Sequence, residues 1–76
     1  MDRITGVIIK VIEQVGSSYG RIKAGEDFYF FHASDVEGRF ERGDVVGFEP
    51  FPALAGEKTP RARVVKIMSH PAEMPL

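Results

Sequence analysis

Two runs decide the fold: Ser18-Tyr19-Gly20-Arg21-Ile22-Lys23 and, after the turn residues Ala24-Gly25-Glu26-Asp27, Phe28-Tyr29-Phe30-Phe31-His32-Ala33-Ser34. Each is short, rich in β-formers and bounded by small or polar residues, so together they read as a hairpin. Side chains alternate across a strand with period two. Tyr19, Arg21 and Lys23 therefore share a sheet face with Phe28, Phe30 and His32. Tyr29 and Phe31 fall on the other face and are assigned to the core. A face that mixes rings with cations offers planes for bases and charge for phosphates, as a single-stranded nucleic acid requires.

Outward from the hairpin, the remaining chain also reads as strand. Arg3 to Val15 is dominated by Ile and Val and is apolar on both faces in its middle, as a curled barrel strand can be. Gly16-Ser17-Ser18 is a turn, Tyr19 to Lys23 the second strand and Phe28 to His32 the third. A polar connection, 33–43, has room for one helical turn capped by Ser34 or Asp35. Asp44 to Pro50 is the fourth strand, with Val46 and Phe48 on one face. A proline-bracketed loop from Phe51 to Pro60 precedes a fifth strand, Arg61 to Met68. Ile22, Val46, Phe48 and Val64 join the expected core. Five short strands fit a small antiparallel Greek-key barrel of the OB type, and an SH3-like barrel uses similar pieces.

With 76 residues the chain is one domain, expected over 1–68 with a proline-containing tail at 69–76. There is no cysteine, so neither a disulfide framework nor a thiolate metal site is available. The start, Met1 to Gly6, lacks a secretory signal pattern, and Val7-Ile8-Ile9 is far too short for a membrane span. A soluble cytoplasmic protein is expected. Ten basic against eleven acidic side chains give a net charge of −1, which disfavours binding that relies on many phosphate contacts. Affinity for a nucleic acid then has to come largely from stacking.

At this point the residues carry a resemblance to the cold-shock domain family. Its second strand reads Lys-Gly-Phe-Gly-Phe-Ile and its third Val-Phe-Val-His-Phe followed by Ser, the two ribonucleoprotein motifs. Tyr19-Gly20-Arg21-Ile22 is similar to the first, and Phe30-Phe31-His32-Ala33-Ser34 to the second. Thr5-Gly6-Val7-Ile8 resembles the family's Gly-x-Val start. Gly43-Asp44-Val45-Val46-Gly47-Phe48-Glu49 resembles its Gly-Gln-x-Val-x-Phe-Glu strand. Gly56 and Arg61-Ala62-Arg63-Val64 resemble its Gly followed by Ala-x-Asn-Val. The ordered set spans Thr5 to Ile67.

The resemblance implies single-stranded RNA or DNA binding, with a role in RNA chaperoning or gene-expression regulation. Its carried-over stacking residues are Tyr19, Phe30 and His32. Arg21, Lys10 and Lys23 are candidates for the nucleic-acid backbone, and Phe28 and Phe51 for extra platforms. The departures are informative. The family's Lys-Trp-Phe-Asn on strand one is Lys10-Val11-Ile12-Glu13 here, Ser17 and Ser18 replace Lys-Gly, and Arg21 and Ala33 stand where rings are expected. At about 1–3 kcal/mol per stacked base, two or three missing rings give a weaker or differently selective binder. Limited sequence preference, for pyrimidines, is expected.

Catalytic readings find little support. A metal site needs several convergent ligands, and the one histidine besides His32 is His70 in the expected tail, so no metal or cofactor site is expected. Ser34-Asp35 beside His32 reads as a cap rather than a triad, because adjacent residues rarely reach nucleophile–base–orienter geometry. Glu26-Asp27 reads as a solvent-exposed turn. Lys58, Arg61 and Arg63 read equally as a solvated face or a phosphate-contacting flank. No catalytic residue is assigned and no enzyme is expected. The rival reading is a protein-interaction module, or a strand-exchanged homodimer, on the same barrel.

Overall fold

The computed structural model describes residues 3–53 and 55–70. Five strands, β1 (Ile4–Gln14), β2 (Ser17–Ala24), β3 (Asp27–His32), β4 (Val45–Phe51) and β5 (Arg61–Ser69), close into a barrel in the order β1-β2-β3-β5-β4. The pairs β1–β2, β1–β4, β2–β3 and β4–β5 are antiparallel. The closing pair β3–β5 is parallel, joined at Phe30 and Arg61. The sheet is therefore mixed, which corrects the all-antiparallel expectation. A connection that returns β5 to the far edge of the β2–β3 hairpin brings it in along the direction of β3. Among the described residues no helix is long and apolar enough to cross a membrane.

The expected hairpin forms with Ala24 opposite Asp27, leaving Gly25-Glu26 as a two-residue loop. Gly25 takes φ 64° at the first loop position, which only glycine adopts without strain and which suits the twist of the flanking strands. The apolar run in β1 also has a physical origin. Ile8 pairs with Ile22, but the next partner of β2 is Lys10 opposite Arg21, so Ile9 has no partner and forms a bulge. The inward phase thus slips from Ile8 to Val11, and Lys10 turns outward beside Arg21. The bulge is held from the other side, where Gly43 N–H donates to the Ile8 carbonyl (2.7 Å) and Ile8 N–H to the Asp44 carbonyl (3.0 Å).

Ile8, Ile22, Phe31, Val46, Phe48, Ala62 and Val65 are fully buried, with Val11, Tyr29, Phe40 and Ile67 packed around them. Phe31 meets Phe40 edge-on at 5.2 Å, and Tyr29 packs on Phe48 at 4.9 Å. Gly20 is itself buried. A methyl group there would strike the Phe31 ring at 2.7 Å and the Lys10 carbonyl oxygen, so the large core ring fits only because β2 has no side chain at that point.

One expected core residue is displaced. Val64 is 46 % exposed and takes φ 52°, and Val65 is buried in its place. Opposite β4, Glu49 pairs with Arg63 and Gly47 with Lys66, so β5 spends an extra residue there. Val64 is the kink, and the alternation reverses across it. Arg3 clamps the irregularity: its Nη2 donates to the carbonyls of Gly47 and Val64, both at 3.0 Å, and its Nη1 lies 3.6 Å from Glu49. At the chain's end β5 runs on through Ser69, and His70 Nδ1 lies 2.8 Å from Asp44 Oδ1. The rest of the expected tail, 71–76, lies outside the described residues.

Candidate nucleic-acid interface

The site follows from register, because residues directly opposite each other in paired strands project from the same face. Lys10 is opposite Arg21, Arg21 opposite Phe30, Phe30 opposite Arg61 and Arg61 opposite Phe51. These five side chains form a single outward row that crosses all five strands: cation, cation, ring, cation, ring. On one side of it Ile12, Tyr19 and His32 form a second row. On the other side Val7, Lys23 and Phe28 form a third. All eight sequence-derived residues, Lys10, Tyr19, Arg21, Lys23, Phe28, Phe30, His32 and Phe51, thus belong to one face.

The rings on this face are graded in exposure. Phe28 is 43 % exposed, whereas Tyr19, Phe30, His32 and Phe51 are half-buried and Lys10, Arg21 and Lys23 are exposed. Tyr19 and Phe30 lie with centroids 5.6 Å apart and planes tilted by 40°, a contact that restrains both rings. Cations flank the rings: Lys23 Nζ is 5.8 Å from the Phe28 centroid, and the Arg63 guanidinium is 5.4 Å from that of Phe51.

Arg61 is the participant that sequence reading left undecided. Its guanidinium carbon is 5.9 Å from the Phe30 centroid, and its Nε is buried with no hydrogen-bond partner among the described residues. The contact with the Phe30 ring sets the guanidinium in the central row. Arg63 is drawn partly aside by Asp35, 3.5 Å from its Nε. Lys58 lies on the β4–β5 loop, where with Glu57, Thr59, Phe30 and Arg21 it lines a cleft of about 310 Å³.

His32 ends β3 and caps the turn that follows. Its Nδ1 accepts from the Ser34 N–H (3.2 Å) and lies 2.9 Å from Ser34 Oγ, while Asp35 Oδ2 accepts from the His32 N–H (3.2 Å). The cap is thus His32, with Asp35 closing the box, rather than the expected Ser34 or Asp35 alone. Accepting an amide N–H at Nδ1 leaves Nε2 as the ring's donor. Asp35 engages the backbone N–H and Arg63, not the imidazole, so among the described residues no carboxylate orients the Ser34–His32 contact.

A second cluster lies away from this face. Ligand-type atoms of Glu41, Asp44 and His70 fall within 4.8 Å of one another. Asp44 is fully buried, with Oδ2 accepting from the Glu41 N–H (2.8 Å) and Oδ1 against His70. Both oxygens are engaged in closing the loop before β4, which accounts for the buried carboxylate.

No protein-family model matches the chain, and no curated protein is significantly similar to it.

Proposed function

We infer that the chain is a single-stranded nucleic-acid-binding domain on an OB-type Greek-key barrel, similar to the cold-shock domains, that catalyses no reaction. Bases stack on Tyr19, Phe30 and His32, with Phe28 and Phe51 as outer platforms. Lys10, Arg21, Lys23 and Arg61 meet the phosphates. The observation that carries this reading is the central row, in which register sets Lys10, Arg21, Phe30, Arg61 and Phe51 side by side. Two rings and three cations share that row, with Phe30 between Arg21 and Arg61, so a strand laid across it meets planes for bases and charge for phosphates. RNA chaperoning or gene-expression regulation in the cytoplasm is the corresponding role, as the family resemblance suggests.

Fluorescence anisotropy with a short uracil-rich or thymine-rich strand tests this directly. Single strands lose affinity by about 0.7 log units per phosphate contact per log unit of salt. Three or four such contacts give a slope of about −2 to −3 by the same relation. Absence of binding at submillimolar concentration and low salt would refute the reading and favour a protein partner or a second copy of the chain on this face.

A further inference from the structure

The cleft beside Phe30 has a composition that a stacking platform does not need. Its lining brings together two cations, Arg21 and Lys58, the Phe30 ring, the hydroxyl-bearing Thr59 and the acidic Glu57. Among the described residues neither Glu57 nor Lys58 forms an ion pair. A second cleft of about 260 Å³, lined by Phe28 with the acidic Glu26 and Asp27, shares Lys58 and Thr59 with the first. The two rings are two residues apart on β3, so their platforms are spaced by about 6.6 Å at 3.3 Å per residue. The β4–β5 loop thus borders two adjacent clefts, each with one ring of β3 in its lining.

A carboxylate in such a cleft repels phosphate and accepts hydrogen bonds only. Its presence among two cations and a ring suits a ligand that is anionic at one end and offers donors at the other. Nucleotides whose bases carry an amino group on the Watson–Crick edge have that pattern. Guanine presents two parallel donors, N1–H and N2–H, which match the two oxygens of a carboxylate. Cytosine and adenine present one amino group beside a ring acceptor. Thymine and uracil set a single N3–H between two carbonyls, whose lone pairs face the carboxylate unfavourably.

We propose that the compartment formed by Arg21, Phe30, Glu57, Lys58 and Thr59 is a base-selective subsite for an amino-bearing base, guanine foremost, with Glu57 as its specificity-determining residue. The proposal rests on the nucleic-acid reading above. It replaces the expected pyrimidine preference at this one position with selection by a donor edge.

The test uses the full chain and a deoxythymidine heptamer whose central base is thymine, guanine, cytosine or adenine, each titrated against wild type and Glu57→Ala. Glu57 is exposed on a loop, so the variant should keep the wild-type thermal melt. The guanine strand should bind about tenfold tighter than all-thymine, within the discrimination a base-edge hydrogen bond supplies. Cytosine and adenine should fall between, and Glu57→Ala should level all four strands. Equal binding of the four strands by wild type overturns the subsite and leaves the nucleic-acid function standing, as does a guanine preference that survives in Glu57→Ala. If no strand binds, the function itself fails and the subsite with it.

Discussion

Phe30 sits amid the candidate face, with Tyr19 and Arg61 against its ring, Arg21 opposite on β2 and the loop cleft beside it. Its truncation should therefore weaken oligonucleotide binding by about 1–3 kcal/mol, the worth of a stacked base. Phe30→Ala and Tyr19→Ala should be less than additive, because each ring restrains the other. A double-mutant cycle in Kd measures this, and strict additivity would argue that the two rings act separately. Val64 makes a prediction of the opposite sign. A β-branched residue at φ 52° is strained by about 1–2 kcal/mol, and asparagine tolerates that region far better. Because Val64 is largely solvent-facing, Val64→Asn should raise the thermal midpoint by several degrees. A fall in the midpoint would mean that its side chain contributes more than its backbone costs.

At the scale of elements, the β2–β3 hairpin depends on Gly20 as much as on its rings. Adding a methyl group there drives into Phe31 and the β1 backbone, so Gly20→Ala should cost about 1–3 kcal/mol by overpacking. In a chain this small that is a large share of the total stability. Chemical denaturation checks it, and an unchanged midpoint would show that β1 can move aside. The hairpin was also the most legible part of the sequence. The outward set Tyr19, Arg21, Phe30 and His32 and the inward Phe31 follow from local alternation and a Gly-containing turn, although pairing extends to Ala24 and Asp27 and shortens the expected four-residue turn to two. The two bulges were not legible. Ile9 and Val64 each shift the inward phase by one, yet neither is Gly or Pro, so nothing local marks the slip. Hence β1 read as apolar on both faces, and Val64 took the core place that Val65 holds. Arg61 escaped assignment for a different reason. Its role depends on the parallel β3–β5 contact, a pairing between distant segments that no local pattern encodes.

At the scale of the molecule, Arg3 is a side-chain tie that joins the start of β1 to two other strands. From just ahead of β1 it holds the carbonyls of Gly47 on β4 and Val64 on β5. Arg3→Met keeps much of the apolar stem and removes both bonds. Charge-assisted hydrogen bonds of this kind contribute about 1.5–3 kcal/mol when buried, and these are partly solvated. A loss of about 1 kcal/mol is expected, read as a lower denaturation midpoint with an unchanged slope. Closure also carries the functional claim, because only a closed barrel puts Arg61 and Phe51 in line with Phe30, Arg21 and Lys10. Amide and aromatic chemical-shift mapping during titration with a short uracil-rich strand examines that row residue by residue. Perturbations should concentrate on Lys10, Tyr19, Arg21, Phe30, His32 and Arg61, and leave Val64 and Met68 unmoved. Shifts centred instead on Val64 and Met68, or none at submillimolar strand, would contradict the assignment of this face to single-stranded nucleic acid.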